Sequence, residues 1–142
     1  MSRAKHGLVI GALLLGDMFL TGMGMGVPIF AIFWGAAPGL AAIFSSWDDP
    51  LPVLVRRTWL YGLVTVGFTF LMMLAIWTPI SVSVAVGKID PAISGVPFIL
   101  YEPVPSFWGF IVLMVVVSPV LQLLVELAVV FACISASRRW SR

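Results

Sequence analysis

Ser118, Gln122 and Glu126 recur every four residues, so on a helix they form one polar stripe in a tract that is otherwise almost entirely apolar. A hydroxyl, an amide and a carboxyl in that order can hold a proton, bind a cation or hydrogen-bond a polar group on a neighbouring helix. Cys133 continues the same face approximately. Pro119 inside the stripe frees a backbone carbonyl that lipid cannot satisfy, so the stripe is expected to face protein or water. A second acid, Asp17, lies about ten residues into another apolar tract, and Thr21, four residues on, shares its face. Ionisable groups at such depth are costly and turn towards a bundle interior or a wet path. No Lys or Arg lies within these tracts, although Arg56 or Arg57 can reach inward from an edge. Two acids without a cation between them make proton exchange a chemistry open to this chain.

Other chemistries lack their residues. His6 is the only histidine and Cys133 the only cysteine, so a bis-histidine haem, a three-ligand zinc site and an internal disulfide cannot be built from this chain. There is no glycine-rich phosphate loop followed by lysine and no Ser-His-Asp set. No catalytic residue, metal or cofactor is expected. The seven methionines, among them Met23, Met25, Met72 and Met73, are read as adaptable packing. Thr65-Val66-Gly67-Phe68 has the composition of a potassium-filter loop, but its apolar flanks predict uninterrupted helix.

The elements that must carry these groups follow from composition. Of 142 residues 61% are hydrophobic and 10% charged, against roughly a quarter charged in soluble domains. Three tracts of 30 residues or more, Gly7 to Trp47, Thr58 to Gly87 and Pro103 to Ser137, carry at most one charge each, which is ample for helices of about 20 residues that cross a bilayer. Arg3, Lys5 and His6 before Leu8 to Leu15 resemble the start of a signal peptide; an uncleaved first helix is the simpler expectation. The sequence predicts an all-α integral membrane protein with four transmembrane helices, at about 7–23, 28–46, 55–80 and 107–137, in a single domain over 1–142.

Basic residues cluster at Arg3 with Lys5, at Arg56 with Arg57, and at Arg138, Arg139 and Arg142. The preference of such clusters for the cytoplasm puts both termini there and makes 81–106 an extracytoplasmic loop. The first two helices are then a short hairpin, broken at Gly22-Met-Gly-Met-Gly-Val-Pro28. The competing layout is one long helix to about Trp34 followed by a re-entrant piece through Pro38-Gly39. Thr78-Pro79 is expected to end the third helix, and Ser81 to Val86, alternating polar and apolar, to run extended at the surface. Phe98, Tyr101, Phe107 and Trp108 are read as an interfacial aromatic belt, and all six tryptophans, Trp34 included, as anchors near helix ends. The basic C-terminal tail, Arg138, Arg139 and Arg142, is expected on lipid headgroups.

Small residues at spacings of four, Gly7 with Gly11, Ala12 with Gly16, Gly22 with Gly26, and Ala128, Ala132 and Ala136, predict close helix packing and make the first and last helices expected neighbours. Function is predicted as a non-catalytic subunit or accessory protein of a larger membrane complex, packing through these stripes. The alternative is a small oligomeric transporter or channel for protons, cations or a small polar solute, using Glu126 and Asp17. The expected partners are the lipid bilayer and other membrane subunits, with no nucleic acid. The expected location is a cell membrane, the bacterial inner membrane or its equivalent.

Overall fold

The computed structural model describes residues 3–22, 28–45, 49–97 and 100–140. Among them all regular structure is helical, with no strand: α1 (Arg3–Gly22), α2 (Pro28–Ser45), α3 (Leu51–Ala85), a short 3-10 turn (Pro91–Ile93), α4 (Pro103–Val112), a π-helical turn (Leu113–Val117) and α5 (Ser118–Trp140). Three stretches, Ala4–Thr21, Leu51–Ala85 and Pro103–Ala136, are long and apolar enough to cross a membrane. The protein is a multi-pass membrane protein. α1 is described to Gly22 and α2 from Pro28; the Trp34 ring lies against Gly16, which a single helix through Trp34, with about 27 Å of rise between the two, does not allow. Residues 23–27, with Gly26, lie outside the described residues.

Two helices exceed their expected bounds. α3 begins at Leu51, after the extended N-cap residue Pro50 and with Pro52 in its first turn, where the missing N–H group has no helical partner to lose. It then passes through Pro79 to Ala85, overturning the break at Thr78-Pro79 and the extended reading of Ser81–Val86. In a membrane an extended ribbon leaves backbone groups unpaired, whereas a helix pairs them internally, and Ser83 Oγ donates to the Pro79 carbonyl at 2.9 Å. α3 ends where Gly87 takes a left-handed conformation, φ 72°. Lys88 N–H then bonds the Ser83 carbonyl at 2.8 Å and Gly87 N–H the Val84 carbonyl at 3.0 Å, the paired closure that a glycine after a helix permits.

The final rod starts at Pro103, again with proline in its first turn. Ser106 Oγ donates to the Leu100 carbonyl at 2.7 Å and accepts from Leu100 N–H at 2.9 Å, tying the loop to α4. The π-helical turn widens the rod just before Pro119, which has no N–H to offer the preceding turn, and Ser118 Oγ reaches the Leu113 carbonyl at 3.2 Å.

α1 packs on α3, α2 packs on α5 and α3, and α3 packs on α5. His6 Nδ1 lies 2.7 Å from the Tyr61 hydroxyl and Asp17 meets Thr69, so α1 and α3 run side by side in the same direction. That register brings the end of α1 roughly level with Leu74. Beyond it, Leu74–Ala85 extends about 18 Å at helical rise alongside the final rod, packing on its π-helical turn with clefts between it and α4. Its base holds Met73, Met114 and Val115, with the Trp77 and Phe110 rings edge to face at 5.3 Å. At the opposite end, Arg57 is paired with Asp49 at 2.6 Å and donates to the Ser45 carbonyl. Its guanidinium is thus committed to the α2–α3 connection and not to the acids.

Two aromatic expectations are corrected. Trp34 is not an end anchor: its ring covers Gly16 of α1 and its indole nitrogen is buried without a hydrogen-bond partner. Phe107 is fully buried instead of joining a surface belt, because the early start of α4 turns it inward; Phe98 lies outside the described residues.

Candidate functional site

The interior face of α3 is set by spacing. Thr58, Tyr61, Gly62, Thr65, Thr69 and Met73 are its buried residues, recurring at three and four positions along one stripe. Four of the six carry hydroxyls. Thr58 Oγ1 donates to the Leu54 carbonyl at 3.0 Å, and Thr65 Oγ1 reaches the Tyr61 carbonyl at 2.8 Å and the Gly62 carbonyl at 3.1 Å. These are helix-internal bonds of the kind threonine makes where no water competes.

Thr69 is different, because its hydroxyl also leaves the helix. Oγ1 lies 2.6 Å from Asp17 Oδ2 on α1 and 2.8 Å from Gln122 Oε1 on α5, as well as 3.0 Å from the Thr65 carbonyl. One α3 side chain thus joins the two polar positions that the sequence places on separate helices. Thr21, buried one turn along α1, lies on the same face as Asp17. α1 and α5 are therefore linked through α3.

Glu126 lies one turn of α5 below Gln122, enclosed by backbone. It is 0% exposed, as is Gln122, while Asp17 is 2% exposed. Both Glu126 carboxyl oxygens and the Gln122 Nε2 lack a hydrogen-bond partner. The enclosure is made by glycines. A Cβ on Gly62 would collide with the Glu126 carboxyl, its Cδ at 2.8 Å, and one on Gly39 would come within 3.0 Å of the Glu126 carbonyl oxygen. Gly35, one turn earlier on α2, stands against the Gln122 carbonyl in the same way. Only residues without a Cβ let α2 and α3 reach α5 this closely.

The positions picked out from sequence fall into two groups. Asp17, Thr21, Ser118, Gln122 and Glu126 are all buried inside the bundle, and Asp17 and Gln122 are joined through Thr69. The small-residue positions lie elsewhere: Gly16 is under Trp34, but a Cβ on Gly7 or Gly11 would have nothing within 4 Å, and Ala128, Ala132 and Ala136 are exposed. Gly22 ends α1, and Arg138 and Arg139 fall in the last turn of α5; Arg142 lies outside the described residues. Sequence reasoning missed Thr69, Gly35, Gly39 and Gly62. Their signal was present in the repeat of Gly62, Thr65 and Thr69 at intervals of three and four and of Gly35 and Gly39 at four, which marks a small, polar helix face.

No family model matches this chain, and no curated protein or solved structure is similar to it. Chemistry must therefore be read from the site. Among the described residues no group of three or more His, Cys, Asp or Glu converges as a metal centre. Two clefts, of about 580 Å³ beside Asp90 and Trp108 and about 210 Å³ beside Trp77 and Ser81, lie at the loop end, and neither is lined by Asp17, Gln122 or Glu126. What the interior offers is one carboxyl, Asp17, joined through the Thr69 hydroxyl to the Gln122 amide, and a second, Glu126, buried one turn away with no partner, in a setting where each exchangeable proton decides which hydrogen bonds can form.

Proposed function

We propose that the protein is a small membrane carrier or channel in which Asp17, Thr69, Gln122 and Glu126 bind a proton or small cation on its way through the bundle. The observation that carries this reading is the direction of the acids. Both point into the chain's own interior, where a carboxyl used only as glue for a partner helix would lie on an outer face. In this reading α2 is the fourth crossing, the arginine-bearing ends face the cytoplasm of a bacterial inner membrane or its equivalent, and the molecule works as an oligomer. In sealed liposomes containing the purified chain, Glu126→Gln is expected to reduce the dissipation of an imposed proton or cation gradient to the level of empty vesicles. Flux equal to the wild type would refute the carrier role.

A second reading, an accessory subunit of a larger membrane complex, is favoured by the unfilled space beside Gly7 and Gly11 and the outward Ala128, Ala132 and Ala136, since such faces accept a closely packed partner helix. Here Gly11→Leu is expected to leave the melting temperature of the chain unchanged while dispersing its assemblies in size-exclusion chromatography in mild detergent. A wild-type chain that already runs as a lone monomer there would exclude this reading.

A further inference from the structure

We infer that the species held by the interior cluster is the proton, not a metal cation, with the Thr69 hydroxyl and the Gln122 amide acting as a reversible hydrogen-bond link whose direction follows the proton on Asp17. This deepens the carrier reading and rests on it for its meaning in transport.

The first argument is a count of protons at Thr69. Its hydroxyl has one to give, yet three oxygens surround it at hydrogen-bond distance: Asp17 Oδ2, Gln122 Oε1 and the Thr65 carbonyl. If Asp17 were ionised with Gln122 in this orientation, two of the three contacts would set lone pair against lone pair. A proton on Asp17 reduces these to one, the contact with the Thr65 carbonyl, an oxygen that already accepts within the α3 ladder. The Asp17 O–H then donates to Thr69 Oγ1, and the Thr69 O–H donates to Gln122 Oε1. Departure of that proton has an equally complete answer, because the oxygen and nitrogen ends of an amide are nearly the same size. With the Gln122 amide turned end for end, Nε2–H donates to Thr69 Oγ1 and the Thr69 hydroxyl donates to the Asp17 carboxylate. The same heavy atoms thus serve two states that differ by one proton.

The second argument concerns Glu126. A carboxylate removed from water with no donor on either oxygen is among the costliest arrangements a protein can contain. Neutralisation by a proton needs no further ligand. A divalent cation needs about six oxygens or more around it, and the residues pressed against Glu126 from α2 and α3, Gly39 and Gly62, bring no side-chain oxygen. Thr65, three residues on from Gly62 on that face of α3, has its hydroxyl turned to its own helix. Asp17 from α1 and Glu126 from α5 are the titratable groups of the cluster. Tyr61, next to Gly62, turns its hydroxyl to His6, and Arg57 is held by Asp49.

Infrared spectroscopy of the full-length chain in lipid nanodiscs tests this without any assay of transport. Carboxylic-acid C=O stretching bands that shift in heavy water are expected in the wild type, with one component lost in Glu126→Gln and another in Asp17→Asn. Raising the pH should convert at least the Asp17 component to carboxylate, with a matching change in the amide band of Gln122. Sodium, potassium or magnesium added at fixed pH should change neither component. Conversion of either band to carboxylate on adding one of these cations would overturn the inference in favour of a metal site, and so would spectra with no such bands at any pH. Where a variant's helical circular dichroism differs from wild type, carbodiimide labelling of wild-type protein substitutes: Glu126 modified, without protection by the cations, supports a bound proton, and protection by a cation refutes it. Intact bands together with liposomes that carry no flux would refute the carrier reading alone.

Discussion

Replacing Gly35 by valine is expected to force α2 away from α5 and to destabilise the bundle by about 3 kcal/mol, the upper end of what overpacking a filled interior costs. The added Cβ would stand against the Gln122 carbonyl, 3.0 Å from Val125 Cβ and 3.1 Å from the Gln122 carbonyl carbon. A side chain in that position could rotate away; a carbonyl locked in a helical hydrogen-bond ladder cannot. The whole of α2 must therefore shift, and with it Gly39, whose backbone walls in Glu126. Denaturation of the purified chain in mixed detergent micelles, followed by circular dichroism, should show an early midpoint for Gly35→Val. Gly11→Ala, with nothing within 4 Å of the new methyl group, should match the wild type. Equal midpoints for all three proteins would mean that α2 does not seat on α5 as described.

The second large effect is expected at Thr69. Valine has nearly the same shape but no hydroxyl, so Thr69→Val leaves the volume filled and strips the bridge from Asp17 and Gln122 together. Buried polar groups deprived of a partner cost about 1–3 kcal/mol. Single interhelical hydrogen bonds in membranes average less, but two groups lose their partner here, and about 2 kcal/mol is expected. Thr69→Ser, which restores the hydroxyl and removes only a methyl group, should recover most of the loss. The same unfolding measurement decides the matter: a Thr69→Val protein as stable as Thr69→Ser would show that the bridge contributes nothing.

Much of this site was readable from spacing. Ser118, Gln122 and Glu126 repeat with the period of a helix, and their burial follows from the cost of presenting such groups to lipid. Asp17 and Thr21 were recognisable as a pair for the same reason. Thr69 was not, because threonine is common on membrane helices and usually bonds its own backbone, as Thr58 and Thr65 do here. Only the position of α3 between α1 and α5 distinguishes it. The glycines misled in a related way. A Gly-Gly pair at a spacing of four looks alike on every helix, and nothing in Gly7-Gly11 or Gly35-Gly39 says which will find a neighbour. That is decided by which helices become adjacent. The helix ends were misjudged around proline. Within a water-soluble chain Thr78-Pro79 is a reasonable stopping point, but where the alternative is unpaired backbone in hydrocarbon the helix continues, and prolines instead mark the first turns of α3 and α4.

The unequal lengths of the helices set a condition on the surrounding lipid. At helical rise the 20 residues of α1 extend about 30 Å, which is close to one hydrocarbon thickness, and the 35 residues of α3 about 52 Å. Trp59 and Trp77 on α3 are separated by about 27 Å of helix, so that pair alone brackets a bilayer core, and α3 runs on past Trp77 to Ala85. On the overhanging side Val82 is 53% exposed and Val104 52%. A molecule with one short flank and one tall flank cannot match a flat slab of uniform thickness. It leans, or the lipids around it stretch on one side, at a cost of fractions of a kcal/mol for each ångström of mismatch. Acyl-chain length thereby becomes a variable acting on the angle between α1 and α3, and the hydrogen bond between Asp17 and Thr69 spans that angle.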